Sequence, residues 1–222
     1  DAFFDLNLKS QTLILVDNSQ YYLSNIDLLK IQIDVLDYMF SQKYKKKCEN
    51  IFCLATYGKK FDIRCSYTND MNKLKTILQN IDVESKGKLF ESIKKSINTS
   101  SFSNKGSPKD INRIICFITC DYEITEKQTQ KIKTLTEQND IILDLIFILT
   151  NDMSIEKYQN MISDKSVCKK YIINEDTYEI TQAVIDDFFD IFYEYICEVN
   201  EIDINENSNN NENSNNNENS NN

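Results

Sequence analysis

The sequence LILVDNSQYY, residues 13–22, places four apolar residues directly before an aspartate. The run TLILV, residues 12–16, is short, apolar and rich in β-branched side chains, which is typical of a strand buried on both faces of a sheet. Asp17 would end this strand, and small polar residues and two tyrosines follow it. A carboxylate in this position indicates a metal site, a catalytic site or simply the end of a strand.

Strand-like and helix-like segments alternate through the rest of the chain. Apolar residues recur at helical spacing over residues 26–40, whereas strict alternation over residues 61–66 predicts a half-exposed antiparallel edge strand. Apolar runs predict further strands at residues 51–56, 114–119, 141–149 and 170–173. Other helices are predicted at residues 70–79, 88–97, 125–138, 154–162 and 177–199. This order predicts an α/β fold, a doubly wound and mostly parallel sheet with one antiparallel edge strand.

Short polar motifs predict where several elements begin and end. Thr68 or Asn69 is expected to cap the helix that follows them, and Thr125 with Gln128 has the spacing of a capping box. The segment NTSSFSNKGSPKD, residues 98–110, holds the only proline of the chain and predicts a surface loop.

The chain ends in a low-complexity segment. Its last eighteen residues are three copies of NENSNN, a polar repeat that cannot bury enough apolar surface to offset the entropy of ordering it. We therefore expect one domain over residues 1–199 and a disordered, acidic, asparagine-rich tail over residues 200–222.

Composition argues against several classes of function. The formal net charge of -10 argues against nucleic acid or an anionic membrane as the main partner. The chain has no histidine, which removes Ser-His and Cys-His catalytic pairs and histidine-ligated zinc. Seven cysteines without a CxxC pair, mostly in apolar runs, favour free thiols in the reducing cytoplasm or nucleus. The apolar runs are too short to span a bilayer.

Two chemical interpretations of Asp17 start from the edge of the predicted sheet. A dinucleotide site needs glycines after the first strand, and DNSQYY has none, so we reject that site. Asp17, Asp121 and Asp152 each follow a predicted strand closely, and together they could hold Mg²⁺ in a divalent-metal nuclease. This nuclease is the enzymatic alternative, although the chain offers no basic patch to bind nucleic acid.

The motif DNSQY and several later segments carry a resemblance to a known family. The later segments are LKIQIDVLDYMF, RIICFIT and LTEQNDIILDLIFI. Together they resemble von Willebrand factor A domains, whose first strand ends in DxSxS, and in particular the ubiquitin-receptor, non-ATPase subunit family of the proteasome regulatory particle. That family continues from its first strand into D-N-S-E and an aromatic residue. The matching positions here are Asp17, Asn18 and Ser19, with Gln20 in place of the glutamate and Tyr21 as the aromatic residue.

The resemblance implies a degenerate metal site. Metal-binding members use the aspartate and both serines of DxSxS, a threonine from a later loop and an aspartate at the end of the fourth strand. Here Asp17 and Ser19 remain, whereas the other three positions hold Tyr21, Phe90 and Cys120. Because Mg²⁺ demands near-octahedral oxygen ligation, we expect no bound metal and no cofactor.

The resemblance also implies a non-enzymatic scaffold that bridges the lid and base of the regulatory particle, in the cytoplasm and nucleus. Asp17, Asn18 and Ser19 would order the loops of a protein-binding surface, and Tyr21 and Tyr22 would be exposed anchors or would pack in the core. We assign no ubiquitin site, because no segment has the form of the family's ubiquitin-binding helices. A similar domain occurs in the transcription and repair helicase factor, which is the alternative assembly.

Overall fold

The computed structural model of this 222-residue chain describes residues 10–19, 27–41, 50–103 and 111–173. The strands in this part are β1 (Ser10–Val16), β2 (Asn50–Thr56), β3 (Asp62–Thr68), β4 (Ile111–Ile118), β5 (Ile141–Leu149) and β6 (Cys168–Ile172). The helices are α1 (Leu28–Ser41), α2 (Met71–Leu78), α3 (Leu89–Ser103), α4 (Glu126–Gln138) and α5 (Glu156–Gln159).

The strands form one sheet in the order β3-β2-β1-β4-β5-β6. Strand β3 is antiparallel to β2 at the edge, and every other pair is parallel. The predicted fold class is therefore confirmed. The chain winds outward from β1 to β2 and β3, then crosses over to β4, β5 and β6, so the winding reverses between β1 and β4. In open α/β sheets of this kind, the carboxyl ends of the strands at the reversal point form the usual crevice for a site.

Strand β1 is buried on both faces, as its apolar run predicts. Leu13, Ile14, Leu15 and Val16 are all fully buried. Leu13 and Leu15 belong to the core beneath α3 and α4, which contains every second residue of the central strands. Burial of each such side chain contributes about 1.5–3 kcal/mol, so the central strands contribute strongly to the stability of the sheet.

A buried ion pair joins β4 to β5. Arg113 Nη1 lies 2.5 Å from Asp144 Oδ2, and both side chains are almost completely buried. The other carboxylate oxygen, Oδ1, accepts a hydrogen bond of 2.8 Å from the backbone N–H of Val167, directly before β6. Asp144 thus connects β5 to β4 and to the residue that precedes β6, from within an otherwise apolar run.

Two predicted boundaries are wrong. The N-cap of α2 is Asp70, not Thr68 or Asn69, and the Asp70 side chain accepts from the N–H of Lys73. Thr68 still belongs to β3, and its hydroxyl accepts from the N–H of Asp70. Helix α3 continues to Ser103 and so includes the start of the predicted loop at residues 98–110. Serine and threonine can remain in a helix when their hydroxyl groups bond to the carbonyl four residues earlier, as happens at Thr99 and Ser101.

Two further local predictions are confirmed, and one helix is shorter than predicted. The capping box of Thr125 and Gln128 is confirmed, with both reciprocal bonds present. The helix predicted at residues 154–162 is shorter, Glu156–Gln159. In the described part of the chain, Cys53, Cys65, Cys116, Cys120 and Cys168 are free thiols.

Several predictions fall outside the described residues. They concern Tyr21 and Tyr22, the helix at residues 177–199 and the tail at residues 200–222. Among the helices that the structure does describe, none has the length and apolar character needed to cross a bilayer.

Candidate functional site

The carboxylate of Asp17 joins the ends of β1 and β4 at the point where the winding reverses. Its Oδ2 accepts from the backbone N–H of Thr119 at 3.0 Å and from the Thr119 hydroxyl at 2.8 Å. Its Oδ1 accepts from the N–H of Ser19 at 3.1 Å and from the Ser19 hydroxyl at 2.6 Å. The phenolic oxygen of Tyr122 lies 2.9 Å from Oδ1 and 3.0 Å from Oδ2. We call these four residues the Asp17 network.

The Asp17 network leaves the carboxylate without free acceptor capacity. Its two oxygens offer about four lone-pair sites. Five donors lie within hydrogen-bonding distance of those sites: the N–H and hydroxyl groups of Ser19 and Thr119 and the hydroxyl of Tyr122. Asp17 itself is only 1% exposed. Such an aspartate holds loops together, because no oxygen is available to an incoming group.

The backbone of Asp17 is held from the other side by Gln32 on α1. The Gln32 side chain accepts from the Asp17 N–H at 2.9 Å and donates to the Asp17 carbonyl at 2.8 Å. Its amide nitrogen also donates to the carbonyl of Leu28 at 3.1 Å, and Gln32 is fully buried. The sequence interpretation did not single out Gln32, although a glutamine inside the apolar stripe of a helix was a usable signal.

Asn18 connects two more loops to the end of β1. Its Oδ1 accepts from the N–H of Gly58 at 2.6 Å, and its Nδ2 donates to the carbonyl of Asp82 at 2.8 Å. Its own carbonyl accepts from the N–H of Glu84 at 2.7 Å. Asn18 is fully buried, so it acts through the shape of the β2–β3 loop (residues 57–61) and the α2–α3 loop (residues 79–88).

Glycines allow these two loops to pass close to each other. A Cβ atom at Gly58 would lie 2.7 Å from Asn18 Oδ1, and a Cβ atom at Gly87 would lie 1.9 Å from the carbonyl oxygen of Gly58. Both distances are too short for any real Cβ atom. Glycine is therefore required at both positions for close backbone approach.

Tyr122 is fixed within a group of buried aromatic side chains. Its ring centroid lies 5.6 Å from that of Tyr57, and its N–H donates to the hydroxyl of Tyr158 at 2.7 Å. Burial, and then the negative charge of Asp17, raise the pKa of Tyr57 and of Tyr122 far above that of an exposed phenol. Both phenols therefore stay protonated and can donate. The sequence interpretation missed Tyr122, and no local pattern marks it.

Cys120 is the residue that the sequence resemblance aligns with the strand-end aspartate of metal-binding members. Burial, and then the charge of Asp17, raise the pKa of this thiol to about 11. A thiol that remains protonated at neutral pH is a poor nucleophile and a poor metal ligand.

The structure does not bring the three aspartates of the nuclease hypothesis together. Asp121 Oδ1 lies 2.6 Å from the ammonium group of Lys157, and Asp152 Oδ1 lies 2.6 Å from that of Lys170. Partial burial tends to raise the pKa of Asp121, but the hydrogen bonds from Lys157 and Tyr158 outweigh it and lower this pKa. Within the described residues, no three acidic or cysteine side chains are grouped so that they could hold a metal ion.

The side chains around Asp17 do not fit a divalent cation. The oxygen atoms at hand belong to Asp17, Ser19, Thr119 and Tyr122, and the three hydroxyl groups already bond to the Asp17 carboxylate. Phe90 lies half-buried on α3 against the core, and Cys120 adds a protonated thiol. Tyr21 lies outside the described residues.

A groove of about 570 Å³ lies beside the Asp17 network, between the start of α3 and the start of α4. Its lining includes exposed charged side chains of both signs, those of Lys86, Lys88, Glu91 and Glu123. Tyr122 also lines the groove. The residue that bonds to the buried carboxylate is thus part of the wall of a surface groove.

No protein-family model and no curated protein matches this chain. Solved structures do match it. The SpRpn10 VWA domain has a TM-score of 0.64 and 18% sequence identity, over 80% of this chain and 94% of that chain. Proximal thread matrix protein 1 from the mussel byssus, in a structure with a zinc occupied MIDAS motif, has a TM-score of 0.62 and 9% identity, over 81% of this chain and 47% of that chain. The conserved hypothetical protein BatB from Bacteroides thetaiotaomicron has a TM-score of 0.56 and 10% identity, over 84% of this chain and 99% of that chain.

Sequence identities of 18% and below show a shared fold and nothing finer. One of the three matched structures is a VWA domain, and each match covers four fifths or more of this chain. This chain therefore has a VWA-like fold, a Rossmann-like α/β sheet with one antiparallel edge strand.

Proposed function

We propose that this chain is a non-enzymatic scaffold subunit that binds other proteins through the carboxyl edge of its sheet. The observation that carries the proposal is the buried bonding of Asp17 and Asn18, which fixes the loops of that edge in one arrangement. Asp17 and Asn18 are themselves buried, so they shape the binding surface and do not touch the partner. Preorganised loops bind with a smaller loss of conformational entropy.

The chemistry at this edge supports a role without a reaction. The carboxylate of Asp17 is fully bonded, the Cys120 thiol has a pKa of about 11, and the chain has no histidine. A general base or nucleophile needs a free group with a pKa near the working pH, and these groups do not provide one.

The partners we propose are lid and base subunits of the proteasome regulatory particle, in the cytoplasm and nucleus. Two independent observations support this assembly: the DNSQY motif and the segments that follow it, and the fold match to the SpRpn10 VWA domain. The net charge of -10 argues against nucleic acid and anionic membranes as partners. Ubiquitin binding is not part of the proposal.

The groove beside Tyr122 offers a direct test. A charge swap of Lys88→Glu with Glu123→Lys changes two exposed groove residues and leaves the net charge unchanged. The swap of Lys131→Glu with Glu137→Lys on exposed positions of α4, outside the groove lining, is the matched control. Each tagged full-length chain is purified from cells under native conditions, and regulatory-particle subunits are quantified by mass spectrometry.

We expect regulatory-particle subunits to copurify with the unchanged chain and with the control swap. With the groove swap, we expect the amount of copurified subunits to fall about tenfold or more. Subunits of the transcription and repair helicase factor in place of proteasome subunits would favour the alternative assembly. If neither set copurifies with the unchanged chain, the proposed assembly is wrong. A Mn²⁺-dependent nuclease activity that disappears in Asp17→Ala would contradict the non-enzymatic role.

A further inference from the structure

The hydroxyl of Tyr122 stands among the oxygen atoms that a cation would use in a VWA-type site. It lies 2.9 and 3.0 Å from the two carboxylate oxygens of Asp17 and 3.1 Å from the hydroxyl oxygen of Ser19. We propose that this hydroxyl is an internal replacement for the metal. It excludes divalent cations from Asp17 and Ser19, and it joins the two loops that a cation would otherwise join.

The exclusion follows from distances and from lone pairs. Mg²⁺ binds its ligand oxygens at about 2.0–2.1 Å, so a cation shared by Asp17 and Ser19 would lie in the space between their oxygens. The Tyr122 hydroxyl already fills this space, within 3.1 Å of all three oxygens, and donates to the carboxylate. The remaining acceptor sites of the carboxylate are taken by Ser19 and Thr119, so a cation could enter only by displacing one of these donors.

Tyr122 is held in this position from several directions, so its hydroxyl is a fixed part of the site. Its ring packs against that of Tyr57, and the ammonium group of Lys86 lies 4.9 Å from the ring centroid. Its N–H donates to Tyr158, and its carbonyl accepts from Lys157 at 2.9 Å. The backbone bonds hold the Cα of Tyr122 in place, and swinging the phenol away would break its ring contacts with Tyr57 and Lys86 and its bonds to Asp17.

The replacement also changes the electrostatics of the site. A cation would neutralise the charge of Asp17, whereas a hydroxyl supplies a donor and no net charge. The Tyr122 hydroxyl supplies this donor at 2.9 and 3.0 Å from the two carboxylate oxygens. The donors of Ser19, Thr119 and Tyr122 stabilise the buried charge, and such charge-assisted hydrogen bonds are about twice as strong as neutral ones.

Removal of the tyrosine side chain should convert the site into one that accepts a cation. In Tyr122→Ala, the oxygens of Asp17, Ser19 and Thr119 would remain, and water could fill the other coordination positions. Binding of Mn²⁺ to the full-length chain is measured by electron paramagnetic resonance. We expect Tyr122→Ala to bind Mn²⁺ at least about tenfold more tightly than the unchanged chain.

Two controls make the test specific. Adding Asp17→Asn to Tyr122→Ala should abolish the gain. Tyr67→Ala, which removes a half-buried tyrosine that bonds to Ser100, should give no gain. The proposal is wrong if folded Tyr122→Ala binds no better than the unchanged chain, or if Tyr67→Ala gains as much.

A second measurement does not depend on whether Tyr122→Ala folds. Mn²⁺ broadens the NMR signals of nearby amides, and the amides of Ser19 and Thr119 are both within the Asp17 network. In the unchanged chain we expect no selective broadening of these two signals at millimolar Mn²⁺. Selective broadening would overturn the proposal, and neither experiment depends on the partner of the scaffold.

Discussion

Thr119 donates two hydrogen bonds to a single oxygen of Asp17, from its backbone N–H at 3.0 Å and from its hydroxyl at 2.8 Å. The two residues are 102 positions apart in the chain, and their bonds close the gap between β1 and β4 where the winding reverses. The central part of the sheet edge is therefore fixed by one buried carboxylate.

This relationship predicts a large stability effect for Asp17→Asn. The asparagine side chain has the same shape, but its NH₂ group replaces one carboxylate oxygen and cannot accept hydrogen bonds. The donors of either Ser19 or Thr119 would therefore lose their acceptor. We expect the free energy of unfolding to fall by about 3 kcal/mol, as for lost hydrogen bonds to a buried charge. Urea denaturation followed by circular dichroism measures the change.

Asp152→Asn is the matched control for this substitution. Asp152 is exposed and pairs with Lys170, and such surface pairs contribute about 0–1 kcal/mol. Equal losses for the two substitutions would contradict a special role for Asp17 in the fold.

Gln32→Glu tests the support that α1 gives to Asp17. The new carboxylate can still accept from the Asp17 N–H, but it cannot donate to the carbonyls of Asp17 and Leu28. Because buried carbonyls would then face a buried carboxylate, we expect a loss of about 2 kcal/mol or more in urea denaturation. The same change at exposed Gln130 on α4 should cost little, and a comparable loss there would contradict the assigned role.

The buried thiols predict how stability depends on alkaline pH. Burial, then the charge of Cys65, raise the pKa of Cys53 to about 12, and burial, then Asp17, raise that of Cys120 to about 11. In the unfolded chain both thiols ionise near 9.0, so the unfolded state loses protons first as the pH rises. The stabilising effect of the neutral thiols is complete below pH 9.0 and is lost as the pH rises toward about 11 for Cys120 and about 12 for Cys53.

Urea denaturation at pH 8, 9 and 10, with a reductant present, measures this decline. These pH values lie on both sides of 9.0, where the thiols of the unfolded chain ionise. The double substitution Cys53→Ala with Cys120→Ala should make the free energy of unfolding depend less on pH. Some dependence should remain, because the raised pKa values of Tyr57 and Tyr122 also lower stability as the pH rises. A free energy of unfolding that rises over this range would show the sign to be wrong.

The pair of Arg113 and Asp144 predicts an asymmetry between single and double substitution. Asp144→Ala leaves a buried guanidinium without its carboxylate, and we expect a loss of about 3–5 kcal/mol. Arg113→Met with Asp144→Leu removes both charges and should cost much less than Asp144→Ala. Asp34→Ala, which breaks the exposed pair of Lys30 and Asp34, is the control and should change little. Unfolding midpoints in urea compare all three, and a double variant no more stable than Asp144→Ala would contradict this account.

The sequence predicted the sheet well because its signals are local. Apolar runs mark β1, β2, β4 and β5 as buried on both faces, alternation marks β3 as an edge strand, and the capping box marks the start of α4. The end of α3 was missed because serine and threonine favour loops in isolation. Their hydroxyl bonds to earlier carbonyls keep this segment helical.

The site was predicted only in part because its bonds are long-range. Asp17, Asn18 and Ser19 were chosen from one motif, and the structure places all three at the end of β1. Thr119 and Tyr122 are more than 100 residues away along the chain, so no periodicity links them to Asp17. Their roles depend on the order of the strands, which brings β4 beside β1.

The central claim is that the carboxyl edge of the sheet, ordered by Asp17, is the surface that another protein binds. Hydrogen–deuterium exchange of the full-length chain, free and within purified regulatory particle, tests this most directly. We predict slower exchange on assembly in residues 82–91 and 121–128, which include the lining of the groove. Unchanged exchange in both segments, with protection confined to other parts of the chain, would contradict the claim.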